Sequence, residues 1–225
     1  MIYLPRSQPA PACLEKEKAK KSGSYNCGDV LERLQQDFHN KCYLCELAAP
    51  TNINVEHRIA HQGNIDLMFD WNNLYFSCGN CNNIKLDKFN DILDCTNESD
   101  QVETFMKYEL DIGSMTTKVL LTLIETNPRT VETQELLNLI YNGKHTKNKR
   151  LASDNLRKML RDEILAFYKL LNRYKAEIHE EEKSRLKQKI ELSLATDSAF
   201  TAFKRWIIRN NETLFTEFGK SLHQA

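Results

Sequence analysis

The chain has 225 residues, 41% of them hydrophobic and 28% charged, and its 31 basic residues balance 31 acidic ones. That length allows one large globular unit or two small ones with a substantial core. No stretch approaches the ~18 to 20 apolar residues a membrane-spanning helix needs, and residues 1–21 carry no apolar signal core, so a cytoplasmic protein is expected.

Residues 1–26 read as a polar arm. Pro5, Pro9 and Pro11 and the mixed-charge run at 15–21 predict an extended leader passing into solvated turns. Asp29 can cap a short helix reaching Phe38, with Val30, Leu31, Leu34 and Phe38 at helical spacing. A tight knuckle follows at 41–46. Residues 53–59 alternate apolar and polar as a strand does, Gly63 and Asn64 mark a turn, and Leu74, Tyr75 and Phe76 form a second strand. Residues 78–81 make a second knuckle and 82–89 a helix. Residues 102–118 read as a hairpin turning at Asp111, Ile112 and Gly113, with a short helix at 103–108 as the alternative. From Val131 the pattern is helical, over 131–141, about 150–176, 181–194 and 197–210. Leu156, Leu160, Ile164, Phe167, Leu171 and Tyr174 form a stripe whose simplest role is a bundle core.

Seven cysteines stand at 13, 27, 42, 45, 78, 81 and 95. An odd count without a signal segment argues against a disulfide framework. Cys42-x-x-Cys45 and Cys78-x-x-Cys81 offer the four thiolates a tetrahedral structural Zn²⁺ needs, each pair bracketing a tight turn. The 32 residues between the pairs exceed a simple zinc ribbon, so something folded is inserted there. Cys13, Cys27 and Cys95 lie outside this grammar and carry no expected role.

The insert contains Val55-Glu56-His57-Arg58, Trp71-Asn72-Asn73-Leu74 and, around the second pair, Cys81-Asn82-Asn83-Ile84-Lys85. These are residue types for phosphodiester hydrolysis. A neutral imidazole can activate water near pH 7, and Glu and Asn oxygens suit a hard Mg²⁺ or Mn²⁺. Adjacent strand residues point to opposite faces, so the strand is expected to end or bulge at Glu56-His57 if both are to reach one phosphate.

The order C-x-x-C, E-H, W-N-N-L, C-x-x-C-N, x-x-K resembles the zinc-bound HNH (ββα-metal) nucleases over residues 42–85. The strings C-Y-L-C-E, V-E-H-R, W-N-N-L-Y-F-S-C and C-N-N-I-K resemble more narrowly the HNH component of Septu-type antiphage defence, which also occurs in retron effector modules. The resemblance implies His57 as general base, Asn73 as the residue orienting it, Glu56 and Asn82 as ligands of a catalytic Mg²⁺ or Mn²⁺, and Lys85 near phosphate. Two departures stand out: Asn82 occupies a position that is often His, and Ile59-Ala60-His61-Gln62 replaces a Pro-Lys that often follows the base. His61 reads as an exposed loop histidine, with a role as an extra ligand the lesser alternative.

The implied architecture is α+β: an arm (1–26), a zinc-stabilised HNH module (27–97), and a hairpin followed by a mainly α-helical region (98–225) that binds partner or substrate. Residues 51–100 hold three basic against eight acidic residues, and residues 101–225 hold 21 against 17. A basic nucleic-acid surface must therefore come from the C-terminal half or a partner. Residues 144–161 carry seven basic residues and one acid, and Lys147, Lys149, Arg150, Arg157 and Arg161 are the candidate phosphate contacts there. The resemblance implies an ABC-type ATPase partner, consistent with the absence of a G-x-x-x-x-G-K-[ST] loop here. The expected activity is a DNA endonuclease, with RNA cleavage, a non-catalytic zinc-knuckle binding module and an adaptor as alternatives.

Overall fold

A computed structural model of the chain describes residues 1–113, 117–143 and 146–223. The N-terminal segment departs from the polar arm read from the sequence. Met1, Ile2 and Leu4 are buried, and the Leu4 amide donates to the Cys95 carbonyl at 2.8 Å. The Arg6 guanidinium lies among the rings of Phe38, Trp71 and Tyr75, 4.7–5.5 Å from their centroids. Trp71 Nε1 donates to the Ser7 carbonyl at 2.9 Å. Apolar residues scattered among prolines and charges hide this burial from a compositional reading.

Helix α1 (Ala12–Lys18) and α2 (Val30–Asp37) are joined across their connection by a Cys13–Cys27 disulfide. This corrects the reading of both cysteines as without a role. The odd total conceals the pair because Cys95 stands alone beside the four-cysteine group. Asp29 occupies the cap position of α2, yet its side chain makes no capping bond.

Strand β1 (Ile53–His57) pairs antiparallel with β2 (Leu74–Cys78) from Ile53↔Cys78 to His57↔Leu74. Between them lies the short α3 (Ile65–Met68), and α4 (Gly79–Lys85) follows β2 at once. The Cys78 side chain caps α4, which draws its start to Gly79 rather than Asn82. A Cβ on Gly79 would come within 2.6 Å of the Asn52 side chain, so a larger residue there would have to push that exposed amide aside. The ladder stops at His57, where the Asn73 side chain takes both the N–H and the C=O of Ile59.

A hairpin forms, from β3 (Met106–Asp111) and β4 (Lys118–Leu123), but it is shifted toward the C-terminus: Asp111 is still paired in β3, β4 runs past the expected end at 118, and residues 114–116 lie outside the described residues. Helix α5 (Pro128–Asn142) starts earlier than its hydrophobic pattern, because Asn127 and Thr130 form a capping box with Pro128 just inside it. Helices α6 (Lys147–Ala176), α7 (Glu180–Leu194), α8 (Thr201–Arg209) and α9 (Glu212–Phe218) follow, and a 3-10 turn over Gly219–His223 ends the described residues. The stripe from Leu156 to Leu171 is buried as expected, and Tyr174 packs edge-on to Phe218.

The fold is mixed α and β, with two small two-stranded sheets among the described residues. One apolar cluster runs from Met1 through the strands and α5 to Phe203, crossing both expected boundaries at 26/27 and 97/98. A second gathers Phe167, Leu171, Ile190, Leu194, Ile208, Leu214 and Phe218. No helix among the described residues is long and apolar enough to cross a membrane.

Candidate metal centre and catalytic site

Cys42, Cys45, Cys78 and Cys81 are buried, and their sulfurs all lie within 4.8 Å of one another. A tetrahedral Zn²⁺ with bonds of about 2.3 Å sets its sulfurs roughly 3.8 Å apart. Cys45 Sγ and Cys78 Sγ are separated by 3.9 Å. The Cys81 amide donates to Cys78 Sγ at 3.5 Å, so the backbone supports thiolate charge. The four cysteines can therefore hold a metal ion such as zinc. The first knuckle is braced from outside the pair: the Tyr43 amide donates to Phe76 O at 3.0 Å, and Tyr141 Oη donates to Cys45 O at 2.9 Å.

Of the end or bulge expected at Glu56-His57, the structure has the end: β1 stops at His57 without a bulge. The register is regular through His57, so the two side chains take opposite faces of β1. Glu56 is 4% exposed. Its Oε1 meets Lys85 Nζ at 2.7 Å and its Oε2 accepts from Tyr43 Oη at 2.6 Å. Lys85 is fully buried and also donates to the His57 carbonyl at 2.9 Å. Burial raises the Glu56 carboxyl above its ordinary range, against the opposing pull of Lys85 and Tyr43. Two expectations are corrected here. Glu56 is engaged on both oxygens rather than open to a metal. Lys85 is a buried tie between β1 and α4 rather than a phosphate contact. Alternation along the strand puts Glu56 inside, and α4 delivers the only cation that reaches it among the described residues.

His57 is half-buried on the other face. Its Nε2 lies 3.0 Å from the Met68 carbonyl. A carbonyl only accepts, so Nε2 carries the proton and a neutral ring presents Nδ1 as its lone pair. Burial lowers the imidazole pKa; the Met68 carbonyl opposes this, and His61 and Lys85 add to the depression. The ring is neutral at pH 7 and able to accept a proton.

Asn73 is buried and acts through backbone. Its Oδ1 accepts from the Ile59 amide at 2.8 Å, and its Nδ2 donates to the carbonyls of Ile59 and Leu67 at 2.9 and 3.0 Å. Leu67 precedes Met68, so Asn73 fixes the segment whose carbonyl holds His57. Asn73→Ala strands these backbone groups and is expected to cost about 3 kcal/mol in denaturant unfolding. Asn73→Asp, which turns a carboxylate oxygen toward the Ile59 and Leu67 carbonyls in a buried site, should lose at least as much. Equal stability of Asn73→Ala and wild type would refute this role.

Asn82 is half-buried on α4, and its side chain has no hydrogen-bond partner among the described residues. It lies three residues before Lys85, on the helix face turned to β1. His61, expected in an exposed loop, is half-buried with its ring 4.7 Å from that of His57, and its Nδ1 accepts from the Gly63 amide. Sequence reasoning missed Tyr25. Its ring packs edge-on to His57 at 4.5 Å and lies 6.5 Å from His61. No motif marks it, because the contact crosses 32 residues.

The basic stretch divides. Lys149 Nζ donates to the Asn83 carbonyl at 2.7 Å, setting the start of α6 beside α4. Lys147 and Arg150 are exposed, and Arg161 pairs at the surface with Asp162. Arg157 bonds the Tyr141 carbonyl and Asp154 and is largely committed to structure. Lys144 and His145 lie outside the described residues.

No protein-family model matches the chain, and no curated protein is significantly similar to it.

Proposed function

We propose that this chain is an HNH-type endonuclease that hydrolyses nucleic-acid phosphodiesters, DNA in preference to RNA, as the effector subunit of an antiphage complex with an ABC-type ATPase. The observation that carries the reading is the His57 ring, neutral at pH 7, protonated on Nε2 and free at Nδ1. It ends the first strand of a strand–strand–helix unit framed by four clustered thiols. In this reading Nδ1 takes the proton of the attacking water. Asn73 holds the loop that orients the ring, and Lys147, Lys149 and Arg150 lie on the α6 turn that meets α4. The ATPase partner and the antiphage setting rest on the motif resemblance of residues 42–85 alone.

A catalytic Mg²⁺ or Mn²⁺ between Glu56 and Asn82 does not fit this arrangement, because both Glu56 oxygens are occupied and buried. No catalytic step is routed through it. Asn82 remains a free oxygen donor.

The test is nicking of supercoiled plasmid by the purified chain with its ATPase, across a Mg²⁺ and Mn²⁺ titration. His57→Ala is expected to lower the rate about 10² to 10⁴-fold. Because the folded pKa is depressed, the base stays unprotonated at neutral pH, and the rate should fall only as pH drops below about 6.5. Absence of any His57-dependent cleavage of DNA or RNA would remove the reading. The Glu56–Lys85 pair favours a second one, a zinc-framed module that binds nucleic acid without cutting it. That reading predicts equal binding by wild type and His57→Ala, with no turnover in either.

A further inference from the structure

The segment between α1 and α2 is fastened to the rest of the protein at few points. Residues 19–22, 24, 26, 28 and 29 are exposed, and only Gly23, Tyr25 and Cys27 turn partly inward. Its side-chain hydrogen bonds are local: the Ser24 amide donates to Glu17 Oε2, Lys20 pairs with Glu17, and the Asn26 amide donates to Ser24 Oγ. Among the described residues, Tyr25 has no hydrogen bond, and its ring contacts are with His57 and His61. The Cys13–Cys27 bond, with Cα atoms 6.1 Å apart, closes the segment two residues from Tyr25. At the other end, Lys18 pairs with Asp66 at 2.8 Å, so α1 is anchored to α3, the helix whose last residue supplies the carbonyl that holds His57.

We propose that Tyr25, held in place by the Cys13–Cys27 disulfide, is a positioning residue packed on the His57 imidazole, and that reduction of this disulfide releases it. The inference rests on the reading of His57 as a base, and its test reads imidazole chemistry rather than cleavage. A dithiol delivers two electrons and two protons, the S–S bond breaks into two thiols, and the dithiol leaves as its own disulfide. In a reducing compartment such bonds are characteristically transient and redox-sensing. Once the bond opens, Tyr25 keeps its packing on the edge of the main apolar cluster and its two ring contacts, but loses the closure that sets its place. The buried thiols of Cys42, Cys45, Cys78, Cys81 and Cys95 lie outside this pair.

The experiment measures the rate at which diethylpyrocarbonate modifies each histidine of the full chain, resolved by peptide mass spectrometry. Oxidised wild type, dithiol-reduced wild type, Cys13→Ser/Cys27→Ser, Tyr25→Phe and Tyr25→Ala are compared, with His39 as internal reference and metal content checked in each. His57 in reduced wild type and in the double serine variant should react at least about fivefold faster than in the oxidised protein. Tyr25→Ala should react fast in both redox states, and Tyr25→Phe should restore the slow, redox-sensitive behaviour of wild type. The proposal is overturned if the oxidised protein lacks the two-hydrogen mass deficit of the disulfide. It is also overturned if His57 reacts equally in both redox states, or if Tyr25→Ala stays redox-sensitive. Failure of the nuclease reading appears separately, as absent His57-dependent cleavage with these reactivities unchanged.

Discussion

Stripping metal from the four-cysteine site with a chelator is expected to unfold the strand–strand–helix unit and to drag the helical half with it. Structural zinc sites of this kind bind with about 10 to 16 kcal/mol, comparable to or larger than the whole stability of an ordinary domain. Without an ion the four sulfurs are buried against one another with no cation to hold them. Burial alone would raise Cys42, yet hydrogen bonds from Cys45, Cys78 and Cys81 bring it well below the ordinary thiol range, while Cys45 and Cys81 are pushed up. One thiolate among thiols is a poor substitute for four sulfurs around a cation. The first knuckle also holds residues far along the chain. The Ala202 amide donates to Glu46 Oε2 at 3.0 Å, the Phe200 amide to Glu46 O at 3.2 Å, and Lys41 Nζ to Ser198 O at 2.8 Å. Far-ultraviolet circular dichroism during a chelator titration, with metal counted by mass spectrometry, checks this. Cys78→Ser should behave like the chelated protein. Unchanged melting after verified metal removal would show that the cluster is an ordinary thiol core.

Lys85→Met should destabilise the protein by about 3 to 5 kcal/mol, because it leaves the Glu56 carboxylate buried without its counter-charge. The double variant Glu56→Gln/Lys85→Met should recover a large part of that loss, since both charges then leave the interior together. The pH dependence has a definite sign. Burial raises the folded-state pKa of Glu56 above its unfolded value, and removing Lys85 removes the main opposing influence. A raised pKa means that the folded state keeps a proton the unfolded state loses. Stability from that proton is present at low pH and is lost as pH rises through the folded pKa. The deficit of Lys85→Met should therefore shrink as pH is lowered from about 8 to about 6. Denaturant unfolding of the metal-loaded proteins measures it. A deficit under about 1 kcal/mol, or one that grows on acidification, would show that the pair is solvated rather than buried.

The contrast between these two sites shows what a sequence makes legible. Two C-x-x-C pairs announce themselves because a tetrahedral ion needs four thiolates on two tight turns, and the fold brings all four together. The helical stripe of α6 is legible for a similar reason, since one periodicity determines one buried face. Glu56 has a residue type that suits a metal ligand, whereas its partners in the fold follow from strand alternation and from a lysine 29 residues on. His57 keeps the lone pair its assignment needs, but the Met68 carbonyl and the Tyr25 ring that surround it come from segments with no motif of their own. The Cys13–Cys27 bond was masked by an odd total. The buried start of the chain was masked by prolines and charges between its apolar residues.

The continuity between the first knuckle and α8 bears on how this chain can be inherited or re-engineered. Residues 42–85 look like a cassette, but cutting them out would take the Glu46 carboxylate from the Ala202 amide, and would take from Tyr141 and the Cys45 carbonyl the bond they share. A transplanted cassette would carry bare polar groups into its new host and leave others behind. The metal-binding end and the helical end are in this sense one structural unit rather than two separable parts.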